Sequence, residues 1–475
     1  MTLRRIDGPC PLSQSVLWRW QRRFYEERGP TAFTSGVVPW RITSCLLLAS
    51  AYADAAIAFA RDLPGPLQIL ELGGGLGRMA FNLMRALDER SVPFHYHFTD
   101  ASAANVEAVA QHPQLRARLD EGQLSLQQLD ALAPHGLSLP PGPTVVVANY
   151  LFDSLPHECW RCEAGTAVGQ EVEVWAAGPT ACLEDSDWKF IDGAARPPPA
   201  VVGYAAHLGS GRFLWPSGAI ACMRAIAGPL RRPHLWLVAD KGPAALAQLR
   251  GRDTASLARH GCISASVNFD ALRAWAGWRA FFAPQLPEMR FGAYALVQGL
   301  GRRSVPALAR AWGESTGLNL ALQAEILLEE LGAEPAVTVP QLLQALAFTR
   351  FDPDALLRLS ARFREKLSAQ TPAGQVAALV LALEETWNNR FVLPEPHDLA
   401  FEIATVLHRA GQLSAAATHY RLSIDLRGPH ATTYFNLALC LLDLGKQSEA
   451  RTALEGTLVV DAAHPRARAL LLATG

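Results

Sequence analysis

The chain has 475 residues, 50% of them hydrophobic and 18% charged, which excludes large-scale disorder and calls for two or three domains rather than one core. Lys and Arg number 43 against 44 Asp and Glu, a net charge of −1 with no global pull toward nucleic acid or an anionic membrane. Eight irregularly spaced cysteines exclude a disulfide scaffold and suggest no metal site; the lone C-x-x-C of Cys159 and Cys162 lacks a second pair.

In chain order, residues 1–10 are polar and basic with no apolar run behind them, so no secretory signal is expected. The stretch WRWQRRFY at 18–25 reads as an amphipathic helix. Glu26 and Glu27 follow it directly, which favours a cover over a cleft above a nucleic-acid surface, and residues 38–44 are expected to shape the same lid. The most hydrophobic run, 45–60, carries Asp54 and is shorter than the roughly 18 apolar residues of a membrane span. A cytoplasmic protein with no membrane or nucleic-acid partner is the expectation.

Residues 67–70, 94–98, 145–148, 235–239 and 294–297 read as strands, with helical periodicity at 78–89 and 102–112 between the first of them. That alternation argues for a parallel α/β sheet covered on both faces. The less regular stretch 163–211 reads as an insertion or an antiparallel extension of the sheet. The segment LQILELGGGLGR at 67–78 is a strand running into E-x-G-x-G-x-G and then a helix. Gly73, Gly75 and Gly77 remove Cβ atoms that would block a ligand, and the turn aims the first helical N–H groups at it. The dinucleotide fingerprint fails, because its third glycine would fall on Arg78, and no Lys-Ser/Thr follows to make a phosphate loop.

The spacing resembles the first motif of class I S-adenosylmethionine-dependent methyltransferases, whose next element is an acid at the tip of the second strand. YHFTD at 96–100 supplies Asp100 there; capping the helix at 102–112 is its other role. VVVANYLFDSLPH at 145–157 resembles the N-E-x-x-D-A-L-P segment of the mitochondrial complex I assembly arginine methyltransferases and their bacterial relatives. LVADKG at 237–242 and HGCISASVNFDAL at 260–272 resemble that branch's later segments. The resemblance covers roughly 11–300 and implies an α/β Rossmann-like seven-stranded methyltransferase domain with S-adenosyl-L-methionine as cofactor. It places Glu71, Gly73, Gly75, Gly77, Asp100, Asp130 and Asn149 around that cofactor, Asp130 near the adenine or, equally, capping a turn. It implies catalytic roles for Asn149, which would orient the acceptor, Tyr150 or Phe152, which would face the sulfonium, and Asp153, a general base or cation anchor. Asn149 and Asp153 could equally close backbone hydrogen bonds of the loop, and Phe152 could be core. His157, Glu158 and His260 are weaker candidates. The sequence departs from the branch at Tyr150, Asn268 and Lys241, which replace a glutamate, an aspartate and a tyrosine; with two acids missing, arginine specificity does not follow directly.

Beyond about 302 only helical patterns remain, at 306–317, 320–331, 339–348, 353–368 and 374–388, with helix starts at Asp352-Pro353 and Thr371-Pro372. Sliding the sequence by 34 places pairs Ala404 with Ala438, Leu407 with Leu441, Gly411 with Gly445 and Ala416 with Ala450. Small residues where helices cross and Gly at the turn make this resemble the tetratricopeptide repeat, with residues 464–473 as a closing helix. The expected domains are 1–300 (with 1–66 a helical lid region), 301–395 helical, and 396–475 repeats. The expected function is methyl transfer to a protein side chain, arginine among them, or to another acceptor, with a repeat tail that binds a protein partner. The alternative is an inactive adaptor that still binds the cofactor.

Overall fold

A computed structural model describes residues 3–36, 38, 40–178, 183–230, 233–253, 257–259, 261–277, 281–285, 290–299, 305–393 and 397–473. The chain opens with strand β1 (Arg4–Pro11) and helices α1 (Val16–Arg28), α2 (Thr31–Thr34) and α3 (Leu46–Ala60). Strand β2 (Leu67–Leu72), helix α4 (Arg78–Asp88) and strands β3 (Phe94–Asp100), β4 (Leu124–Gln128) and β5 (Thr144–Asn149) follow. Then come β6 (Glu158–Glu163), β7 (Thr166–Ala176), β8 (Ser186–Asp192) and β9 (Gly211–Trp215). The last strands are β10 (His234–Asp240), the small pair β11 (Leu257–Arg259) and β12 (Ile263–Ala265), β13 (Phe281–Phe282) and β14 (Gly292–Gln298).

Seven strands form one sheet in the order β13-β14-β10-β5-β2-β3-β4. Every residue of β2 and β10 is buried, the pattern of parallel strands covered on both faces. β4, β3, β2, β5 and β10 run parallel, whereas β14 pairs antiparallel to β10, His234 opposite Gln298. All five strands read from the sequence fall inside observed ones. From β2 the chain steps outward through β3 to β4, then crosses to β5 on the other side of β2. The carboxyl ends of β2 and β5 therefore flank the point where the order reverses, where an open α/β sheet leaves a crevice.

The stretch 163–211 does not extend this sheet. It contributes to a second, antiparallel one, β1-β7-β6-β9 with β8 also on β7. β1 corrects the expectation that 1–66 is helical throughout. With Gly8, Pro9 and Pro11 it has poor strand propensity, yet pairing with β7, broken by two register shifts, holds it extended. Leu17 and Trp18 of α1 pack into the core beneath this sheet with Val172, Val174 and Leu214.

Two compact units divide the chain, Met1–Leu322 and Gln323–Gly475. The division lies beyond 300 because the next helix, Val305–Glu314, packs against α3. In the second unit, Val339–Phe348, Pro353–Lys366 and Ala373–Asn388 form where helical periodicity predicts them. Asp352 Oδ1 caps the middle one, accepting from Asp354 N at 3.0 Å. Two helical hairpins follow, Leu399–Arg409 with Leu413–Arg427 and Ala431–Asp443 with Gln447–Val460, and Pro465–Ala473 closes the unit. Gly411 and Gly445 turn them at φ 74° and 73°. Ala404, Ala416, Ala438 and Ala450 are each 0% exposed at the helix crossings. Ala450→Leu would force extra methylenes into that crossing and is expected to cost about 1–3 kcal/mol in urea unfolding of this unit; a neutral result would show a looser crossing. No helix among the described residues is long and apolar enough to cross a membrane.

Candidate functional site

The turn after β2 is left-handed at three alternate residues, Gly73 (φ 67°), Gly75 (φ 57°) and Gly77 (φ 79°), a path L side chains rarely follow. Gly74 N donates to Thr99 O and Gly77 N to Gly74 O, each at 3.0 Å, which ties the turn to the end of β3. Asp100, the last residue of β3, completes the bend. Its Oδ2 accepts from Gly75 N at 2.9 Å, while Oδ1 accepts from Ser102 N at 2.8 Å and Asn105 Nδ2 at 3.1 Å. A carboxylate has about four acceptor sites, so three protein donors leave room for one ligand hydroxyl. The same carboxylate thus holds the bend and starts the next helix, Ala103–Ala110. Burial pushes its pKa above the ordinary aspartate value, against the pull of those three donors.

A cavity of about 400 Å³ lies over the bend, and Glu71, Gly73, Gly75, Asp100, Asp130, Asn149 and Tyr150 all line it. This range of volume suits a small-molecule ligand. Gly77 does not line it. A Cβ there would meet Val109 at 3.0 Å and Leu115 at 3.2 Å, so Gly77 serves helix packing and the turn rather than a ligand, a correction to its expected role. Glu71, 4% exposed, accepts from Tyr96 Oη at 2.9 Å, and burial raises its pKa to about 8.

That shift sets a pH dependence. Glu71 binds its proton more tightly folded, at about 8, than unfolded, at 4.5. The stability it contributes is therefore complete below pH 4.5 and is lost as pH rises through 8. Relative to native protein, Glu71→Gln should gain about 2–4 kcal/mol between those limits, read from urea unfolding across the range. A constant difference would show that Glu71 is already ionised in the fold.

On the opposite side of the crevice, Asn149 ends β5 with its amide largely consumed. Oδ1 accepts from Tyr52 Oη (3.0 Å) and Ala239 N (3.1 Å), and Nδ2 donates to Thr43 O (2.8 Å). It braces the wall and keeps one N–H for a ligand. Tyr150 follows at φ 45°, a conformation costly for a bulky residue and characteristic of functional sites. Phe152 is core, 0% exposed, tilted against Trp236.

Asp153 does not line the cavity, which corrects its expected place as a base facing the acceptor. Its Oδ1 accepts from Ser154 Oγ at 3.0 Å, its Oδ2 lies 3.8 Å from Lys241 Nζ, and its N–H donates to Asp240 Oδ2 at 3.0 Å. Ser154, which does line the cavity, stands between the two. Burial raises both acids of this pair, Asp153 to about 6 and Asp240 well above its ordinary value, while the Lys241 ammonium pulls each back. Asn268 is likewise structural: Oδ1 accepts from Ala271 N at 3.0 Å as the cap of helix Phe269–Ala276. His157 is fully buried and stacks on Trp18, burial lowering its pKa to about 4; neither it nor Glu158 lines the cavity. His260 lies outside the described residues.

α1 supplies the outer wall through Trp18, Gln21, Arg22, Tyr25 and Glu26. Arg22 Nη2 pairs with Asp130 Oδ2 at 2.9 Å, and Gln21 bridges Ser154 Oγ (3.1 Å) and Ile263 N (2.8 Å). Asp130 Oδ1 also accepts from Leu132 N, so this acid holds a turn and a helix as well as facing the cavity. Phe33, Trp40 and Arg78 also line it. The sequence marked the helix but not which of its side chains turn inward; the i, i+4, i+7 spacing of Trp18, Arg22 and Tyr25 is the signal that would have shown it.

Residues 48–278, just under half the chain, match the family described as "Putative S-adenosyl-L-methionine-dependent methyltransferase". Comparison with curated proteins gives no match. Among solved structures, an uncharacterized superfamily protein from Burkholderia thailandensis is similar at 19% identity and TM-score 0.42, over 62% of this chain and 89% of that one. A second member of that superfamily from the same organism, solved bound to S-adenosyl-homocysteine, has 17% identity and TM-score 0.36, over 58% and 81%. The matched segment contains the glycine bend, Asp100 and Asn149, and S-adenosylmethionine is the cofactor by which the family similar to it is described.

Proposed function

We propose that the chain transfers the methyl group of S-adenosylmethionine to a protein side chain admitted to the cavity beneath α1, and that its two helical hairpins act as tetratricopeptide repeats that hold the partner. The observation that carries the reading is the Asp100 clamp on Gly75, which shapes the bend and keeps an acceptor site at the cavity. The cofactor, when bound, supplies an electrophilic methyl group on a sulfonium. The chain's own part is alignment: Tyr150 and the α1 wall restrict the acceptor's approach and exclude water. Such positioning contributes about 7–11 kcal/mol in favourable cases. Arginine finds less support than other side chains, because Tyr150 and Asn268 stand where the resembled branch has acids, and Asn268 caps a helix.

The inactive-adaptor reading draws on the same two residues and on the consumed amide of Asn149. Calorimetry with S-adenosylmethionine, followed by radiolabelled methyl transfer in lysate, separates the two. Binding with a labelled product supports transfer; binding with none favours the adaptor.

A further inference from the structure

Methyl transfer to an N–H or O–H group releases a proton, and the acids on the cavity wall are poorly placed to take it. Asp100 already holds three donors, and Asp130 and Glu26 both pair with Arg22. Glu71, with its pKa near 8, keeps its own proton at neutral pH. A fourth acid reaches the cavity indirectly. The loop after β5 runs close to the glycine bend, since a Cβ on Gly73 would meet Leu151 Cδ1 at 3.3 Å. Three residues further on, Ser154 lines the cavity. Its hydroxyl donates to Asp153 Oδ1 at 3.0 Å and accepts from Gln21 Nε2 at 3.1 Å. A hydroxyl oxygen accepts twice and Gln21 takes one place; Tyr25, which also contacts it, can direct its single proton to Cys262 instead.

Asp153 is 5% exposed, and burial alone would neutralise it. Lys241 Nζ, 3.8 Å from Oδ2 and also donating to Ser264 Oγ, opposes that. Asp240 binds both neighbours through their backbones, Oδ2 accepting from Asp153 N and Oδ1 from Lys241 N. Tyr25 of α1 and Cys262 ahead of β12 are the other titratable groups facing Asp153. Ser154 and Lys241 are also places where the sequence departs from the resembled branch, whose segments carry Ala and Tyr there.

Resting on the methyltransferase reading, we propose that Ser154 relays the proton of the methyl acceptor to Asp153, with Lys241 keeping that carboxylate ionised. The acceptor's nitrogen or oxygen bonds to the methyl carbon as the carbon–sulfur pair leaves with sulfur. Its proton passes to Ser154 Oγ, and the Ser154 proton passes to Asp153 Oδ1. The site therefore suits an acceptor that must lose a proton, an amine or a hydroxyl, over a carboxylate that is already ionised.

The test pairs infrared titration of the cofactor-free full chain with radiolabelled methyl transfer from S-adenosylmethionine into lysate, both followed against pH. In native protein the carboxyl band that Asp153→Asn removes should fade as pH rises through about 6, and transfer should rise over the same range. Lys241→Met, which removes the opposing charge, should move both upward by about one pH unit or more. Ser154→Ala should cut transfer at least about 100-fold while calorimetric affinity for S-adenosylmethionine stays native, which also shows the variant folded. Ser154→Thr keeps the hydroxyl and should retain most of the transfer. Native transfer by Ser154→Ala, loss of its cofactor affinity, or an unmoved profile in Lys241→Met would overturn the relay while leaving the methyltransferase reading in place. Native protein that transfers no label would overturn that reading, and the relay with it.

Discussion

Replacing Asp100 with alanine should lower cofactor affinity by at least about 100-fold and destabilise the α/β unit by about 2–5 kcal/mol. Both effects have one origin. The carboxylate satisfies Gly75 N, Ser102 N and Asn105 Nδ2 at once, and at 7% exposure water cannot replace it fully. Without it the bend loses the bond that holds Gly75, and the helix Ala103–Ala110 loses its starting acceptor. Asp100→Asn keeps the shape but presents an NH₂ to one of those donors, so it should fall between native and alanine in calorimetric affinity and in urea unfolding. Were Asp100→Ala to bind the cofactor as native protein does, the carboxylate would have no part in the site.

Gly74→Ala should be the next most damaging change, although Gly74 itself does not have a positive φ. A Cβ at that position would stand 2.2 and 2.6 Å from two atoms of the Phe98 ring and 3.0 Å from Glu71 Oε2. Phe98 is 0% exposed in the core and cannot move aside, so the bend must lift instead. Lifting it stretches the Gly74 N to Thr99 O bond and draws Gly75 away from Asp100. A stability loss of about 1–3 kcal/mol is expected, with affinity reduced about 10- to 100-fold. Pairing it with Phe98→Leu, which makes room for the methyl, should restore part of both in a double-mutant cycle. Strictly additive effects would mean that the clash with Phe98 is not the cause.

What local pattern encodes was readable in advance. Five of the seven strands of the main sheet show as short β-type runs, and the bend shows as alternate glycines after one of them. Asp100 is legible because it ends the next strand. Features made by distant partners were not. Asp153 looked like a free acid beside Asn149, but its surroundings come from Asp240 and Lys241, 87 and 88 positions later, and depend on β10 lying beside β5. Gly77 looked like a cradle residue because its spacing matches that of Gly73 and Gly75; only Val109 and Leu115 above it reveal its packing role. The ion pair of Arg22 with Asp130 spans 108 positions and no periodicity signals it. β1 is the clearest case of tertiary pairing overriding composition, since its glycine and prolines describe a loop until β7 is laid against them.

A crystal structure of the full chain with S-adenosylmethionine tests the central claim most directly. The account predicts adenosine seated over the carboxyl ends of β2 and β3 with one ribose hydroxyl donating to Asp100 Oδ2 and the methionine part lying across Gly73–Gly75. A ligand bound elsewhere, or crystals soaked at saturating concentration whose cavity stays filled by α1 side chains, would contradict it.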